Sequence, residues 1–567
     1  MEPDVFKFGS SVLHRPEDLR RVVSLLYQRT RYGRPIVAVV SAFAGVTDDL
    51  IKEANLFGAG RNSIHSPRLI SLGEERTAAL LALACDEAGL DARVLGARQL
   101  DLRAEGPSYN ASPVSINRRV LQEAMVAHGV IIVPGFVALG LDNQLVLLGR
   151  GGTDLSAVLV AEAAGARSVM LVKDVDGVYT EDPASVDTNS DAAPQRFAKM
   201  PPSTALSVAG PLVQPKAIAA AEAADLPIHV GGFGRFHDAT IIAADETVMG
   251  EATEPCRLRV GLAGLGVVGG GVAERVLRST SEFELVGALV KNSDRPRDRQ
   301  INPSVITTDV NHLFASKPDV IVDVLSSGDA GRDLTDRAMA EGVHIVSANK
   351  QALAGQMRDL HETAKNKGLS LLYSAAVGGG APMVETVQKA RQNGEVARIE
   401  AVLNGTVNYI LSAMGRGSSF EEALSQAQEA GFAEADPSAD LSGADADAKV
   451  RILSFNAFGL EPAADSLEID AFDPAKVKAT IDDGQTLRQV GLIERNQGGE
   501  VTARVTYEAI PDGSAFFDLS DEFNAVVVTM ADGRTYSCRG RGAGSIPTSE
   551  SILADLETIR MQMDASL

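Results

Sequence analysis

The sequence predicts an α/β protein made of two fused units, and three observations predict it. Short apolar strands alternate with Ala- and Leu-rich helical stretches through most of the chain. The alternation lapses from Ala243 to Cys256, where Glu251, Thr253, Glu254 and Pro255 read as an exposed linker, and restarts at Leu258. A chain of 567 residues also exceeds what one hydrophobic core usually organises, so two to four domains are expected.

In the first unit the strand candidates are Val5 to Phe8, Ile36 to Val40, Val130 to Val133, Ser168 to Val172 and Pro227 to Val230. In the second they are Leu258 to Ala263, Val320 to Leu325 and Val343 to Val346. From about Thr386 to Arg534 the pattern shifts to long helices and alternating strands such as Val501 to Tyr507, which reads as an α+β domain inserted in a nucleotide-binding domain. The expected boundaries are 1–246, a linker at 247–256, a nucleotide domain at 257–385, the inserted domain at 386–534 and a return to the nucleotide domain at 535–567.

Composition narrows the function. A formal charge of −22 repels phosphate backbones and argues against nucleic acid as a partner. No apolar run reaches the roughly 18 residues of a membrane span. Cys85, Cys256 and Cys538 lie far apart without CxxC spacing, which argues against a metal knuckle or a disulfide framework and fits a reducing cytoplasm. Met1 to Val5 carries two acids and leads straight into a strand, so no signal or transit peptide is expected.

Gly264-Leu265-Gly266-Val267-Val268-Gly269 follows a strand and opens a helix, the context of a Rossmann dinucleotide fingerprint. An NAD-selective site usually has an acid at the end of the next strand. Here the chain reads Val290-Lys291-Asn292-Ser293-Asp294-Arg295, and Lys291 with Arg295 suits a 2′-phosphate, so NADP(H) is expected over NAD(H). Ser347-Ala348-Asn349-Lys350, Ala376 to Pro382 and Asn404-Gly405-Thr406 then fall where α/β enzymes carry ligand loops. The acids from Glu434 to Asp440 can bind an α-ammonium group. Asp445 and Lys449 share a helix face, either as a surface ion pair or as part of a site at a cleft edge.

The order of these motifs, through the closing Gly542-Ala543-Gly544-Ser545-Ile546-Pro547-Thr548, resembles homoserine dehydrogenase from Leu258 to Leu567. The resemblance implies hydride transfer between a nicotinamide and the C4 carbon linking aspartate semialdehyde to homoserine, and a homodimer or homotetramer. It assigns homoserine to Gly405, Thr406, Glu434, Asp440 and Asp445, and the proton to Lys449 or Lys350, with Asp445 orienting Lys449. It assigns the dinucleotide to Gly264, Gly266, Val267, Val268, Gly269, Lys291, Arg295, Ser347, Lys350, Gly544 and Thr548. A sodium site on the carbonyls of Val377, Gly379 and Ala381 is doubtful, because Ser374 stands where many relatives have a glutamate.

In the first unit, Lys7 precedes Gly9-Ser10-Ser11, Ser41 to Thr47 ends a second strand, and Leu148-Gly149-Arg150-Gly151-Gly152-Thr153-Asp154 joins anion-binding glycines to a cation and an acid. With Ser71-Leu72-Gly73-Glu74 and Lys173-Asp174-Val175-Asp176-Gly177-Val178-Tyr179 these resemble aspartate kinase, an amino acid kinase-like α/β/α sandwich, from Asp4 to Ile242. The resemblance implies ATP and magnesium phosphorylating aspartate. It assigns ATP to Lys7, Gly9, Asp154, Asp174 and Tyr179, with Lys7 catalytic, and aspartate to Ser41, Thr47, Glu74 and Arg150. In the opening loop one glycine is missing or replaced by Ser10, Ala184 stands in place of an arginine, and Gln214-Pro215 in place of a His-Pro pair.

The combined expectation is a bifunctional enzyme of aspartate-family amino-acid biosynthesis, serving threonine and methionine. The alternative is a dehydrogenase carrying a catalytically silent kinase-like scaffold. No ACT domain fits between Ile242 and Leu258 or after Thr548, where one helix from Ser549 to about Met563 is expected, so threonine and lysine should leave both activities nearly unchanged.

Overall fold

All five side chains of strand Ile36–Val40 are buried, as at the centre of a parallel sheet covered on both faces. The computed structural model describes residues 2–56, 63–181, 183, 194–210, 212–243, 245–250, 257–293, 301–433, 436–496 and 498–564. The chain divides into two units, Met1–Pro255 and Cys256–Leu567.

The first unit holds a nine-stranded sheet in the order Val248–Met249, Phe197–Met200, Thr240–Ile242, Ile228–Gly232, Val169–Lys173, Asp4–Phe8, Ile36–Val40, Val130–Pro134, Ala92–Val94. The five central strands, from Ile228–Gly232 to Val130–Pro134, run parallel, so their carboxyl ends gather the loops of Lys7, Ser41 and Lys173 on one edge. A smaller four-stranded sheet joins Ser112–Ser115, Arg103–Glu105, Val137–Leu139 and Leu145–Leu147. Helix Gly152–Ala164 is almost wholly buried and packs on strands Asp4–Phe8 and Ile36–Val40. Its small side chains permit that close approach. Strand Val248–Met249 pairs antiparallel with Phe197–Met200, inside the stretch read as linker; two residues are too short to leave a periodic signal.

In the second unit six parallel strands lie in the order Ile306–Thr307, Phe283–Leu289, Leu258–Ala263, Val320–Asp323, His344–Ser347, Leu371–Leu372. Counted along the chain this is 3-2-1-4-5-6, the order of a dinucleotide-binding sheet. A second six-stranded sheet runs Leu467–Ile469, Val501–Ala509, Leu487–Arg495, Val396–Val402, Phe523–Met530, Thr535–Arg541, antiparallel except for its first pair. Strand Thr535–Arg541 belongs to this sheet, so the chain returns to the nucleotide domain after Arg541 rather than at 535. One core joins both parts: Leu334, Ile345 and Met357 cluster with Ile399, Ile452 and Val526.

The last helix spans Ser545–Asp564 and begins four residues before the expected start. Pro547 sits in its first turn, where a missing N–H costs nothing. This helix lies along Val267–Arg278: the hydroxyl of Ser545 donates to the Val267 carbonyl at 2.9 Å and that of Ser549 to Val268 at 3.3 Å.

The three fingerprint glycines answer to different constraints. Gly264 has φ +103°, and a Cβ there would meet the Val324 carbonyl oxygen at 2.8 Å. A Cβ on Gly269 would lie 2.0 Å from the Gly264 carbonyl oxygen, so no side chain fits. Gly266, the helix N-cap, would meet nothing within 4 Å; its smallness keeps the helix N-terminus open to an approaching anion. Gly269→Ala should therefore destabilise the second unit by about 1–3 kcal/mol or more, the scale of overpacking. Scanning calorimetry of the variant should show a lowered transition, and an unchanged one would mean that the loop has room to spare.

Candidate active sites

In the second unit, strand Val396–Val402 runs through Leu403 and Asn404 into helix Gly405–Gly415, and the charged groups gather on this junction. Asn404 caps the helix, its Oδ1 accepting the Val407 N–H at 2.9 Å. Its Nδ2 donates to Asp440 Oδ1 at 2.9 Å and to Asp445 Oδ2 at 3.3 Å. The Leu403 carbonyl accepts Lys449 Nζ at 2.7 Å and Asn524 Nδ2 at 3.0 Å.

Asp445 stands between two lysines, 2.6 Å from Lys449 Nζ and 2.9 Å from Lys350 Nζ. Asp445 and Lys449 are 6% and 8% exposed, so the i,i+4 pair is buried rather than a solvated surface pair. Burial alone would raise the Asp445 pKa; the two ammonium groups outweigh it and hold the carboxyl down at about 2. Asp440 moves the other way, raised by burial and then by the Asp445 charge, with Asn404 and both lysines opposing. Two carboxylates with opposite shifts beside shared lysines can hold an ammonium group and position a proton donor.

Lys350 reaches this cluster from the nucleotide sheet. Asp323, fully buried at the end of its strand, accepts the Leu325 N–H at 3.0 Å and the Ser347 hydroxyl at 3.3 Å, and burial pushes its pKa up to about 6. The Ser347 oxygen accepts the Asn349 N–H at 3.1 Å, and Asn349 caps the short helix Lys350–Leu353. Ser347 is itself fully buried, its hydroxyl engaged by Asp323 and Asn349.

Ser374 donates its hydroxyl and its N–H to Asp555, at 2.7 and 3.1 Å. The Ala381 carbonyl accepts the Met383 N–H at 2.7 Å. Ser374, which stands where many relatives have a glutamate, is thus paired with Asp555 and brings no charge of its own to the proposed sodium loop, so it does not fit a sodium site with a charged ligand at that position.

In the first unit Lys7 Nζ lies 2.6 Å from Asp154 Oδ1, and Lys173 Nζ lies 3.5 Å from both Asp154 oxygens. All three are buried. Burial would raise the Asp154 pKa, but the two lysines hold it low; Lys173 is pushed down to about 8, by burial first and then by Lys7. The Gln214 N–H also donates to Asp154, at 3.4 Å. Ser41 Oγ donates to Thr153 at 3.0 Å. Glu74 accepts the Ala42 N–H at 3.2 Å with one oxygen, while its other oxygen meets no described partner. Burial pushes its pKa up to about 7. Thr47 is half-buried, Arg150 and Asp174 are exposed, and the Tyr179 hydroxyl donates to Asp176 at 2.8 Å.

Residues 382–556 match the family model for homoserine dehydrogenase and residues 264–374 that for its NAD binding domain. A homoserine dehydrogenase of Synechocystis is 32% identical over 320 residues, covering 53% of this chain and 73% of that one. That of Bacillus subtilis is 31% identical over 324 residues, covering 54% and 73%. The chain belongs to the homoserine dehydrogenase family. A solved homoserine dehydrogenase from Thiobacillus denitrificans is 29% identical, covers 55% of this chain and 74% of that one, and superposes with a TM-score of 0.49. Residues 5–232 match the amino acid kinase family model. A kinase-type domain thus precedes a dehydrogenase with a nicotinamide-nucleotide domain. Among the described residues no helix is long and apolar enough to cross a membrane.

In the dehydrogenase unit the structure brings together Lys350, Asp440, Asp445 and Lys449. Gly405 and Thr406 open the helix that Asn404 caps, and the Thr406 hydroxyl donates to the Phe432 carbonyl at 2.6 Å. Glu434 and Arg295 lie outside the described residues, and Lys291 is exposed. Sequence reasoning missed Asn404 as a bridge between two acids, although its place before Gly405-Thr406 marked it as a cap. It also missed Asp323 and Lys173, each a single charged residue closing an apolar strand.

Glu74 carries a linkage consequence in the kinase domain. Its folded pKa of about 7 exceeds the ordinary 4.5, so the folded state holds the proton more tightly and stability falls as pH rises from about 4.5 to 7. Glu74→Gln keeps an acceptor for Ala42 and should stabilise the domain by about 1–3 kcal/mol at pH 8, with the gain vanishing near pH 4. Denaturant unfolding at both pH values checks this; a gain independent of pH would mean that Glu74 does not carry the charge.

Proposed function

We propose that this chain interconverts aspartate semialdehyde and homoserine through the Asp445 cluster, and that its kinase domain phosphorylates aspartate with ATP. A nicotinamide dinucleotide, when bound, supplies or accepts the hydride. The chain's own residues hold the amino acid and move one proton. Reduction needs a proton at the aldehyde oxygen as the hydride arrives at carbon, and Lys449 or Lys350 supplies it. Among the described residues Lys449 gives two N–H bonds, to Asp445 and Leu403, which leaves the third for substrate. Asp445 positions both lysines, and Asp440, with Glu434 by family resemblance, takes the ammonium group. Asn404 bridges the two aspartates with its amide N–H groups.

The observation that carries this reading is the buried carboxylate shared by two lysines. Lys449→Ala should lower homoserine oxidation by at least about 10²-fold with the fold intact. Near-normal turnover would remove Lys449 from the mechanism.

The proposed preference for NADP(H) rests on Lys291 and Arg295 standing where an acid would serve NAD. Steady-state kcat/KM should be higher with NADP than with NAD, and equal or reversed values would show that these side chains point elsewhere.

For the kinase domain, the support is that Lys7, Asp154 and Glu74 are in place beside the altered loop. Ser10 does not have positive φ, so the altered loop needs no glycine at that position for its backbone. Gln214, in place of histidine, still donates its N–H to Asp154. Hydroxamate trapping should detect aspartyl phosphate at saturating aspartate and MgATP, and Lys7→Ala should abolish it. No product from the wild-type chain would favour the silent scaffold.

A further inference from the structure

The Lys7, Asp154 and Lys173 cluster has an unbalanced charge. Two ammonium groups and one carboxylate, all nine-tenths buried or more as side chains, sum to +1. Glu74, another buried acid of this unit, bonds to Ala42 instead, and Asp176 pairs with Arg235 at 2.8 Å. Among the described residues the charged groups facing Lys173 are Lys7 and Asp154. A buried net charge without a partner is costly, so the arrangement suits an incoming anion.

The distances separate the two lysines. Lys7 makes a close contact with Asp154, at 2.6 Å, whereas Lys173 stands 3.5 Å from both oxygens, beyond the 2.7–2.9 Å typical of a well-made charge-assisted bond. Lys173 is held near Asp154 by two long hydrogen bonds only. Its strand, Val169–Lys173, lies beside Asp4–Phe8, so both ammonium groups stand at the same sheet edge. Asp154 lies in the first turn of the 13-residue helix Gly152–Ala164, whose N-terminus favours negative charge. Gly9 keeps that edge clear: a Cβ there would lie 2.6 Å from Lys7 Nζ.

We propose that Lys173 is a second phosphoryl-binding lysine, which with Lys7 holds the polyphosphate of a nucleoside triphosphate while Asp154 sets the spacing between them. The proposal rests on the kinase reading above. As the aspartate carboxylate oxygen bonds to the terminal phosphorus, the bond to the bridging oxygen breaks and its electron pair leaves with the diphosphate. Lys173 meets the charge borne by the transferring and leaving oxygens. Burial and the Lys7 charge push its pKa down to about 8, so it loses its charge as pH rises past that value.

The test uses the full chain, with MgATP binding by calorimetry and aspartyl hydroxamate formation, for the wild type, Lys173→Met and Lys173→Arg. The methionine variant should bind MgATP about 10-fold more weakly and form hydroxamate about 10²-fold more slowly, the scale of losing one preorganised donor. Arginine should restore most of both. Wild-type affinity for MgATP should fall between pH 7 and 9, and that of the arginine variant should stay flat. Hydroxamate from the wild type and equally from Lys173→Met would overturn the inference and leave the kinase reading standing. MgATP binding that Lys173→Met weakens, with no hydroxamate from any variant, would support the anion site and overturn the kinase reading. Absence of MgATP binding by the wild type would overturn both.

Discussion

The dehydrogenase unit depends on one carboxylate, Asp445, which two lysines from different parts of the fold share. Lys449 reaches it from one turn along helix Ala444–Phe458, and Lys350 from the end of the nucleotide sheet. An isolated buried aspartate would take up a proton and lose its hold on both. With two ammonium groups against it the carboxylate stays ionised, and each lysine is held at a known place. The geometry therefore ties the end of the nucleotide sheet to helix Ala444–Phe458.

The surrounding structure serves this arrangement. Leu403 and Asn404 end a central strand of the antiparallel sheet, and they offer a carbonyl to Lys449 and an amide to Asp440 and Asp445. On the other side Asp323, Ser347 and Asn349 form a buried chain of hydrogen bonds that fixes the start of the helix carrying Lys350. The continuous core from Ile345 to Ile452 and Val526 keeps the two approaches in register. The kinase domain repeats the logic with the sign reversed toward anions: one carboxylate, Asp154, between Lys7 and Lys173.

Much of this was legible in the sequence where local pattern carries it. Strands such as Ile36–Val40 and Leu258–Ala263 announce themselves because burial on both faces demands an unbroken apolar run. The spacing of Asp445 and Lys449 places them on one helical face, though not in the interior. What escaped depends on chain segments far apart in sequence. Nothing local tells that Lys350 meets Asp445, that Asn404 bridges two acids, or that Lys173 faces Lys7 across neighbouring strands. Two-residue strands such as Val248–Met249 and Leu371–Leu372 are fixed by their partners rather than by their own side chains.

The central claim is that the Asp445 charge, and not its shape, holds the site together, and Asp445→Asn tests it most directly. The asparagine keeps the volume and one acceptor but removes the charge from between two lysines. Homoserine oxidation should fall by about 10²–10³-fold, the scale of losing a preorganised electrostatic partner, while NADP(H) binding by calorimetry stays within about a factor of ten, or about 1.4 kcal/mol. Near-normal turnover in the asparagine variant would contradict the account.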